Sequence, residues 1–136
     1  MTSDEKKRLL AQYRINQAYE ALQEAELLFN NMMNPRSVIN RLYYAMFYSV
    51  LALLVYEQYG SSKHKGVISY FNKRFIKEGI FPEKTAKVIN KAFEMRIRGD
   101  YEEYSELTRE EVQPFIEGAK DFVHTIEEHL KKFQLV

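Results

Sequence analysis

Two short polar segments hold the side chains best suited to chemistry. They are Lys63-His64-Lys65 and Met95-Arg96-Ile97-Arg98-Gly99-Asp100-Tyr101-Glu102-Glu103-Tyr104. Arginine presents a planar fork of donors and lysine a mobile point charge, and together they suit a phosphate group. Histidine, with an ordinary pKa of about 6.5, is the side chain that exchanges protons near neutral pH. Lys63, His64, Lys65, Arg96 and Arg98 are therefore the candidate nucleotide- or phosphate-binding residues, with Asp100 and Tyr101 beside them. Each segment also has a plainer reading. The first suits a solvated turn, and arginines in a last helical turn face its negative end and free carbonyls.

Other chemistries find less support. The three histidines are His64, His124 and His129. His124 and His129 are off the i,i+4 spacing that sets two ligands on one helix face. Asp121 stands three residues before His124, an arrangement that needs a second copy to make a di-metal bundle site, so no metal is expected. No Gly-x-Ser-x-Gly elbow and no phosphate-cradling glycine loop occurs. The chain has no cysteine, which excludes a thiol nucleophile, a disulfide and thiolate metal sites. No cofactor is implied. Twenty basic residues nearly balance nineteen acidic ones, so nucleic acid can be held only by a local patch, not by the chain as a whole.

Behind these segments stands an all-α reading. The 136 residues are 46% apolar, enough for one domain over 1–136 with its own core. Thr2 with Glu5 has the spacing of a capping box and opens a first helix, whose apolar residues are Leu9, Tyr13, Ala18, Leu22, Ala25, Leu28 and Phe29. Asn34-Pro35 suits the N-cap and first position of a second helix, expected to run to Tyr59 with Gly60 as its C-cap. Its run from Leu42 to Tyr56 is free of charge. That is short of the roughly 20 residues that cross a bilayer, so it must be buried in protein on every side. A shorter third helix ends near Gly79, a fourth starts at Pro82 and breaks at Gly99, and Thr108 with Glu111 caps a fifth in which Pro114 marks a kink or a true start. These elements predict an up-and-down bundle of four to five helices. With no leader or span expected, the chain is read as cytoplasmic.

In such a bundle the second and fourth helices run parallel, so their C-terminal ends would bring the two polar segments into one basic mouth. Arg41 would then lie at the far end, paired with Glu20, Glu24 or Glu26 on the first helix. Tyr43, Tyr44, Phe47 and Tyr48, with Arg41, would form a core or dimer face.

Three blocks in order carry a resemblance. Arg41-Leu42-Tyr43-Tyr44-Ala45-Met46-Phe47 resembles the Arg-x-Tyr-Tyr-Ala-x-Phe signature of HEPN domains (higher eukaryotes and prokaryotes nucleotide-binding). Ser62-Lys63-His64-Lys65-Gly66-Val67-Ile68 is similar to the family's next block, and Arg96-Ile97-Arg98-Gly99-Asp100-Tyr101 to its third. The resemblance spans about Ala11 to Leu130. It implies a small prokaryotic helical bundle, commonly a homodimer, often paired with a minimal nucleotidyltransferase in a toxin–antitoxin-type module. Members can be metal-independent ribonucleases with an Arg, four to six residues, then a His. Here Tyr101 follows Arg96 at five, and Glu103, Tyr104 and Ser105 follow Arg98 at five to seven, so the proton-exchanging partner is absent from its family position.

The expectation is therefore a nucleotide-binding or nucleotidyltransferase-partner protein with a degenerate nuclease motif, and not an enzyme. One alternative is a metal-independent ribonuclease toxin using Arg96, Asp100, Tyr101 and His64, acting on RNA. Another is a structural dimerisation module with no ligand. The resemblance also marks Tyr101 and Tyr104 as tyrosines that a nucleotidyltransferase partner could modify.

Overall fold

Ser3–Asn30 form α1, opened by the expected capping box between Thr2 and Glu5. Pro35–Leu54 form α2, entered through Asn34, whose side chain accepts from the Arg36 amide. His64–Phe71 form α3, which runs directly into a π-helical turn, Asn72–Lys77. Glu83–Tyr101 form α4, Arg109–Val112 the short α5 behind the Thr108–Glu111 capping box, and Pro114–Lys132 form α6. This computed structural model describes residues 1–60, 63–101 and 106–136, with Asp100 and Tyr101 described by their backbone alone. No strand occurs among the described residues.

The hub is α2, which packs against α1, α3, α4 and α6. Val38, Ile39, Leu42, Tyr43, Ala45, Met46 and Val50 are all wholly buried, but the expected burial on every side is incomplete, because Tyr44, Tyr48 and Leu51 stay half-buried. It is the one described helix long and apolar enough to cross a bilayer, and 67% of its apolar stretch is covered by the rest of the protein. One continuous apolar core links α2 to Ile15 and Ala18 of α1, Phe71 and Phe75 of the third segment, Ile89 of α4 and Ile126 of α6.

Cross-helix contacts set the direction of each helix. Glu24 of α1 meets Arg41, and Leu28 shares a groove with Arg36 and Ser37, so α1 and α2 are antiparallel. On α4, Arg96 lies over Tyr43 and Tyr44, while Gly99, further along, stands beside Arg36. Helix α4 therefore runs antiparallel to α2. The parallel arrangement expected from the sequence is overturned. The segment between α2 and α4 is a short helix with a π turn, not a full crossing of the bundle. Tyr19 meets Glu127 and Glu26 meets Lys120, so α6 is antiparallel to α1. The bundle is up-and-down, built from four long helices with α3 and α5 as short additions.

Several boundaries differ from expectation for physical reasons. Helix α2 stops at Leu54, not Tyr59, and Gly60 is not its cap. Residues just beyond are drawn into contacts with later parts of the chain. The Tyr56 hydroxyl donates to the Leu135 carbonyl, and Glu57 accepts from both Tyr70 and Arg74. Gly99 does not break α4. It lies inside the helix, where a Cβ would come within 3.0 Å of Leu107 and 3.1 Å of Arg36, so its role is close approach. Gly79 does take the left-handed conformation, at φ 81°, and ends the third segment as expected. On α1 the buried stripe is Ala11, Ile15, Ala18, Ala21, Leu22 and Ala25, while Leu9 and Tyr13 are more than half exposed.

Candidate anion site on the hub helix

The site grows from Tyr43 and Tyr44, neighbours on α2 whose rings meet edge to face at 5.4 Å. Tyr43 is wholly buried; Tyr44 is half-buried and reaches the surface. The start of α3 lies beside this pair. His64 there stacks on Phe47 at 4.1 Å with the rings 3° from parallel. It lies edge-on to Tyr44 at 5.3 Å. From α4, the Arg96 guanidinium stands 5.3 Å from the Tyr43 ring and 5.4 Å from the Tyr44 ring, with Nη2 3.5 Å from the Tyr44 hydroxyl. An arginine over an electron-rich ring face is held there electrostatically.

The structure thus brings His64 and Arg96 onto one pair of tyrosine rings. The two residues are 32 positions apart in the chain and sit on different elements. They meet along the flank of α2, not at shared helix ends.

One hydrogen bond ties the imidazole to Tyr43. The Tyr43 hydroxyl lies 2.8 Å from His64 Nδ1. Burial pushes the Tyr43 pKa well above its ordinary value, with Arg96 opposing that shift, so the hydroxyl keeps its proton and is able to donate it. Where it does, Nδ1 is the acceptor and the ring's own proton sits on Nε2. Burial, and secondly the positive charge of Arg96, hold the His64 pKa below its ordinary 6.5. Both the hydrogen bond and the electrostatics favour neutral imidazole with an Nε2–H donor. A neutral N–H donor and a guanidinium beside it can grip an oxyanion. They are poorly arranged to shuttle protons, because the basic nitrogen is already occupied by Tyr43.

The remaining expected residues divide. Lys63 and Lys65 flank His64 as exposed side chains. Arg98 does not join the mouth. Two residues along a helix turn the side chain roughly 200° about the axis, and Arg98 Nη2 instead binds Glu111 Oε2 at 2.6 Å. Hydrogen bonds from Arg98 and from the Thr108 amide lower the pKa of Glu111. Tyr104 lies outside the described residues, as do the side chains of Asp100 and Tyr101. Of the aromatic face, Tyr43 and Phe47 belong to the core, while Tyr44 and Tyr48, 5.8 Å apart, stay half-buried.

Arg41 was expected at the opposite end, and its position is corrected. Its guanidinium stands 5.2 Å from the Tyr44 ring, the same ring that Arg96 covers. Glu24 is its carboxylate partner at 3.7 Å, as one of the three expected candidates, while Glu26 pairs with Lys120 at 2.6 Å. The antiparallel course of α4 makes this neighbourhood. The missed signal was spacing: Arg41 is three residues before Tyr44, on one helix face.

Ligand-type residues elsewhere are differently engaged. His124, Glu127 and Glu128 converge on α6. Glu127 accepts from the Tyr19 hydroxyl at 2.5 Å, and Lys131 lies within 3.8 Å of both carboxylates. Asp121 is not part of that group. A cleft of about 330 Å³ between α4 and α6, lined by Lys84, Asp121 and His124, excludes both His64 and Arg96.

With this geometry in place, comparison with known proteins agrees with the fold. The HEPN domain family matches residues 11–129. A UPF0332 protein from Thermotoga maritima is 40% identical over 124 residues, covering 91% of this chain and 92% of the relative. Two proteins of Methanocaldococcus jannaschii are also similar. "Putative toxin MJ0605" is 36% identical over 85% of this chain and 84% of its own length. "Putative toxin MJ0142" is 32% identical over 85% and 78%. The chain belongs to the HEPN domain family, and the relatives named here are prokaryotic proteins.

Proposed function

We propose that this chain is the HEPN component of a toxin–antitoxin-type module in the prokaryotic cytoplasm, and that it binds nucleotide phosphate at Arg96 and His64 without cleaving RNA. One observation carries this reading: Arg96 and His64, from separate elements, share the Tyr43–Tyr44 pair while Tyr43 ties up the imidazole Nδ1. Arg96 supplies a fork for two phosphate oxygens and His64 an Nε2–H donor. Lys63 and Lys65 add mobile positive charge at the edge. The half-buried Tyr44 and Tyr48 offer apolar ring surface beside the phosphate, and as a pair with Arg41 they suit the dimer face expected from the family. A minimal nucleotidyltransferase is the partner proposed on the same family ground.

The test is calorimetric titration of the purified protein with ATP and with a short RNA, alongside an RNA cleavage assay without metal. Binding that weakens at least tenfold in Arg96→Ala, with intact RNA, supports the reading. No binding of either ligand overturns it. A second reading, the metal-independent ribonuclease, draws on the same closeness of an imidazole to a guanidinium. RNA cleavage that disappears in both His64→Ala and Arg96→Ala would establish that reading instead.

A further inference from the structure

We infer that the seam between α4 and α6 is a docking groove for an amphipathic helix of a partner protein, one that carries carboxylates along the edge meeting α4. This goes beyond the anion site, since neither Arg96 nor His64 takes part in it.

Three cavities lie in line along the seam. The first, of about 330 Å³, has Lys84, Val88, Gly118 and Asp121 among its walls. The second, of about 260 Å³, shares Val88 and Gly118 with the first and adds Lys87, Lys91, Pro114 and Phe115. The third, of about 370 Å³, shares Lys91 and Phe115 with the second and reaches Met95, Arg98 and Glu111. Each cavity has walls in common with the next, so the three make one trough. From Lys84 to Arg98 it follows α4 for about 21 Å, at ~1.5 Å per residue.

The floor is apolar. Val88, Met95 and Phe115 pack on the core yet stay half-buried. At Gly118 the two helices come close, and a Cβ there would stand 3.1 Å from Val88 Cγ1. Glycine at that point keeps the middle of the floor open.

The rim on α4 is basic. Lys84, Lys87 and Lys91 follow one another at three and four residues, the spacing that shares one helix face, and all three are exposed. Lys84 and Lys87 make no ion pair among the described residues. Lys91 lies 4.0 Å from Glu94 with both side chains 70% exposed, a pairing too open to the solvent to hold its charge. The acidic groups lie towards the ends of the trough. Asp121 stands on α6 at one end, and at the other Glu111 is already bound by Arg98 at 2.6 Å. The middle of the trough therefore joins an apolar floor to uncompensated positive charge on one side.

That combination selects the occupant. A segment laid on an apolar floor must satisfy its own backbone groups. An extended strand would need a sheet edge, and no strand occurs among the described residues. A helix needs none, and about four turns of it match the length of the trough. Its apolar residues at three- and four-residue spacing would enter the floor. Carboxylates on its flank would meet the lysines and fix its orientation. A nucleic-acid strand would use the lysines but leave the apolar floor unfilled.

The experiment titrates the full chain with two labelled helical peptides of about four turns, followed by fluorescence anisotropy and by amide NMR. One has leucine at every third or fourth position and glutamate on its flanks; the other has lysine in place of glutamate. The glutamate peptide should bind about tenfold more tightly than the lysine peptide. The amides it moves should lie within residues 84–98 and 114–125. The variant Lys84→Glu/Lys87→Glu/Lys91→Glu should reverse the preference between the two peptides. Gly118→Met, which fills the floor, should weaken the glutamate peptide about tenfold. If Gly118→Met does not fold, the lysine variant, altered only at exposed positions, decides the matter. Equal affinity for the two peptides, binding of neither, or shifts centred outside the trough would overturn the inference. So would hexauridylate moving the same amides while the glutamate peptide moves none, because the surface would then be a nucleic-acid patch. Arg96→Ala should leave peptide affinity unchanged, and the lysine variant should leave ATP affinity unchanged, so failure of the groove and failure of the anion site are told apart.

Discussion

Replacing Tyr43 by phenylalanine deletes one oxygen atom and leaves the ring. The ring's contacts with Arg96 at 5.3 Å, His64 and Phe93 at 5.7 Å and Phe47 at 5.9 Å can all persist. What is lost is the 2.8 Å hydrogen bond to His64 Nδ1. A neutral hydrogen bond contributes about 0.5–1.5 kcal/mol net. The abandoned Nδ1 belongs to a half-buried residue that water can reach, so no full desolvation penalty remains on that side. The expected destabilisation is therefore about 1 kcal/mol, read from urea unfolding at pH 7.5. The sharper readout is the imidazole itself. Hydrogen bonding to a neutral form holds a histidine neutral, so removing the bond should raise the His64 pKa towards 6.5 and release the tautomer lock. Nitrogen-15 NMR of the histidine ring reports both. Wild-type His64 should show the Nε2–H tautomer and titrate below 6.5. An Nδ1–H tautomer in the wild type, or an unmoved pKa in Tyr43→Phe, would refute the argument that Tyr43 disarms this histidine as a base.

Other expectations follow from the same contacts. Burial and nearby cations (Arg96 for His64; Lys132 and Arg74 for His129) depress both histidines. The unfolded chain therefore takes up protons first, and stability present above about pH 6.5 is lost as pH falls through that value towards the folded-state pKa values. The urea midpoint should be lower at pH 5.5 than at 7.5, and His64→Gln with His129→Gln should flatten the difference; an unchanged midpoint in the wild type would count against it. Thr108→Ala removes the capping oxygen that receives the Glu111 amide at 3.1 Å and should cost about 1 kcal/mol in the same assay. Leu42→Ala, at a wholly buried position of the hub helix, should cost about 2–5 kcal/mol, and a loss under 1 kcal/mol would mean that α2 is not the centre of the core.

Much of this architecture could be read from the sequence because it is encoded locally. Caps at Thr2, Asn34 and Thr108 are side chains reaching backbone groups two or three residues away, and a helix with a long uncharged run has to bury most of it. The meeting of His64 and Arg96 was also foreseen, but by a topology that proved wrong. Helix direction depends on whether α3 crosses the bundle, and the π turn at Asn72–Lys77 carries no mark in its residue types. The placement of Arg41 failed with it. On α1, Ala18, Leu22 and Ala25 are buried as the sequence indicates, whereas Leu9 and Tyr13, included for their bulk, are not. Its alanines are buried together with Ile15 and Leu22, and small side chains there let α1 approach α2, while Leu9 and Tyr13 face outwards. Arg98 could have been placed correctly from helix geometry alone, since it cannot share a face with Arg96.

A double-mutant cycle between Arg96 and His64, read as ATP affinity by calorimetry, tests most directly whether these two residues form one site. Arg96→Ala and His64→Ala should each weaken binding about tenfold, and the double variant should be little worse than either single, a coupling well above 0.5 kcal/mol. Losses that simply add, or a His64→Ala variant that binds as the wild type does, would contradict a shared anion site.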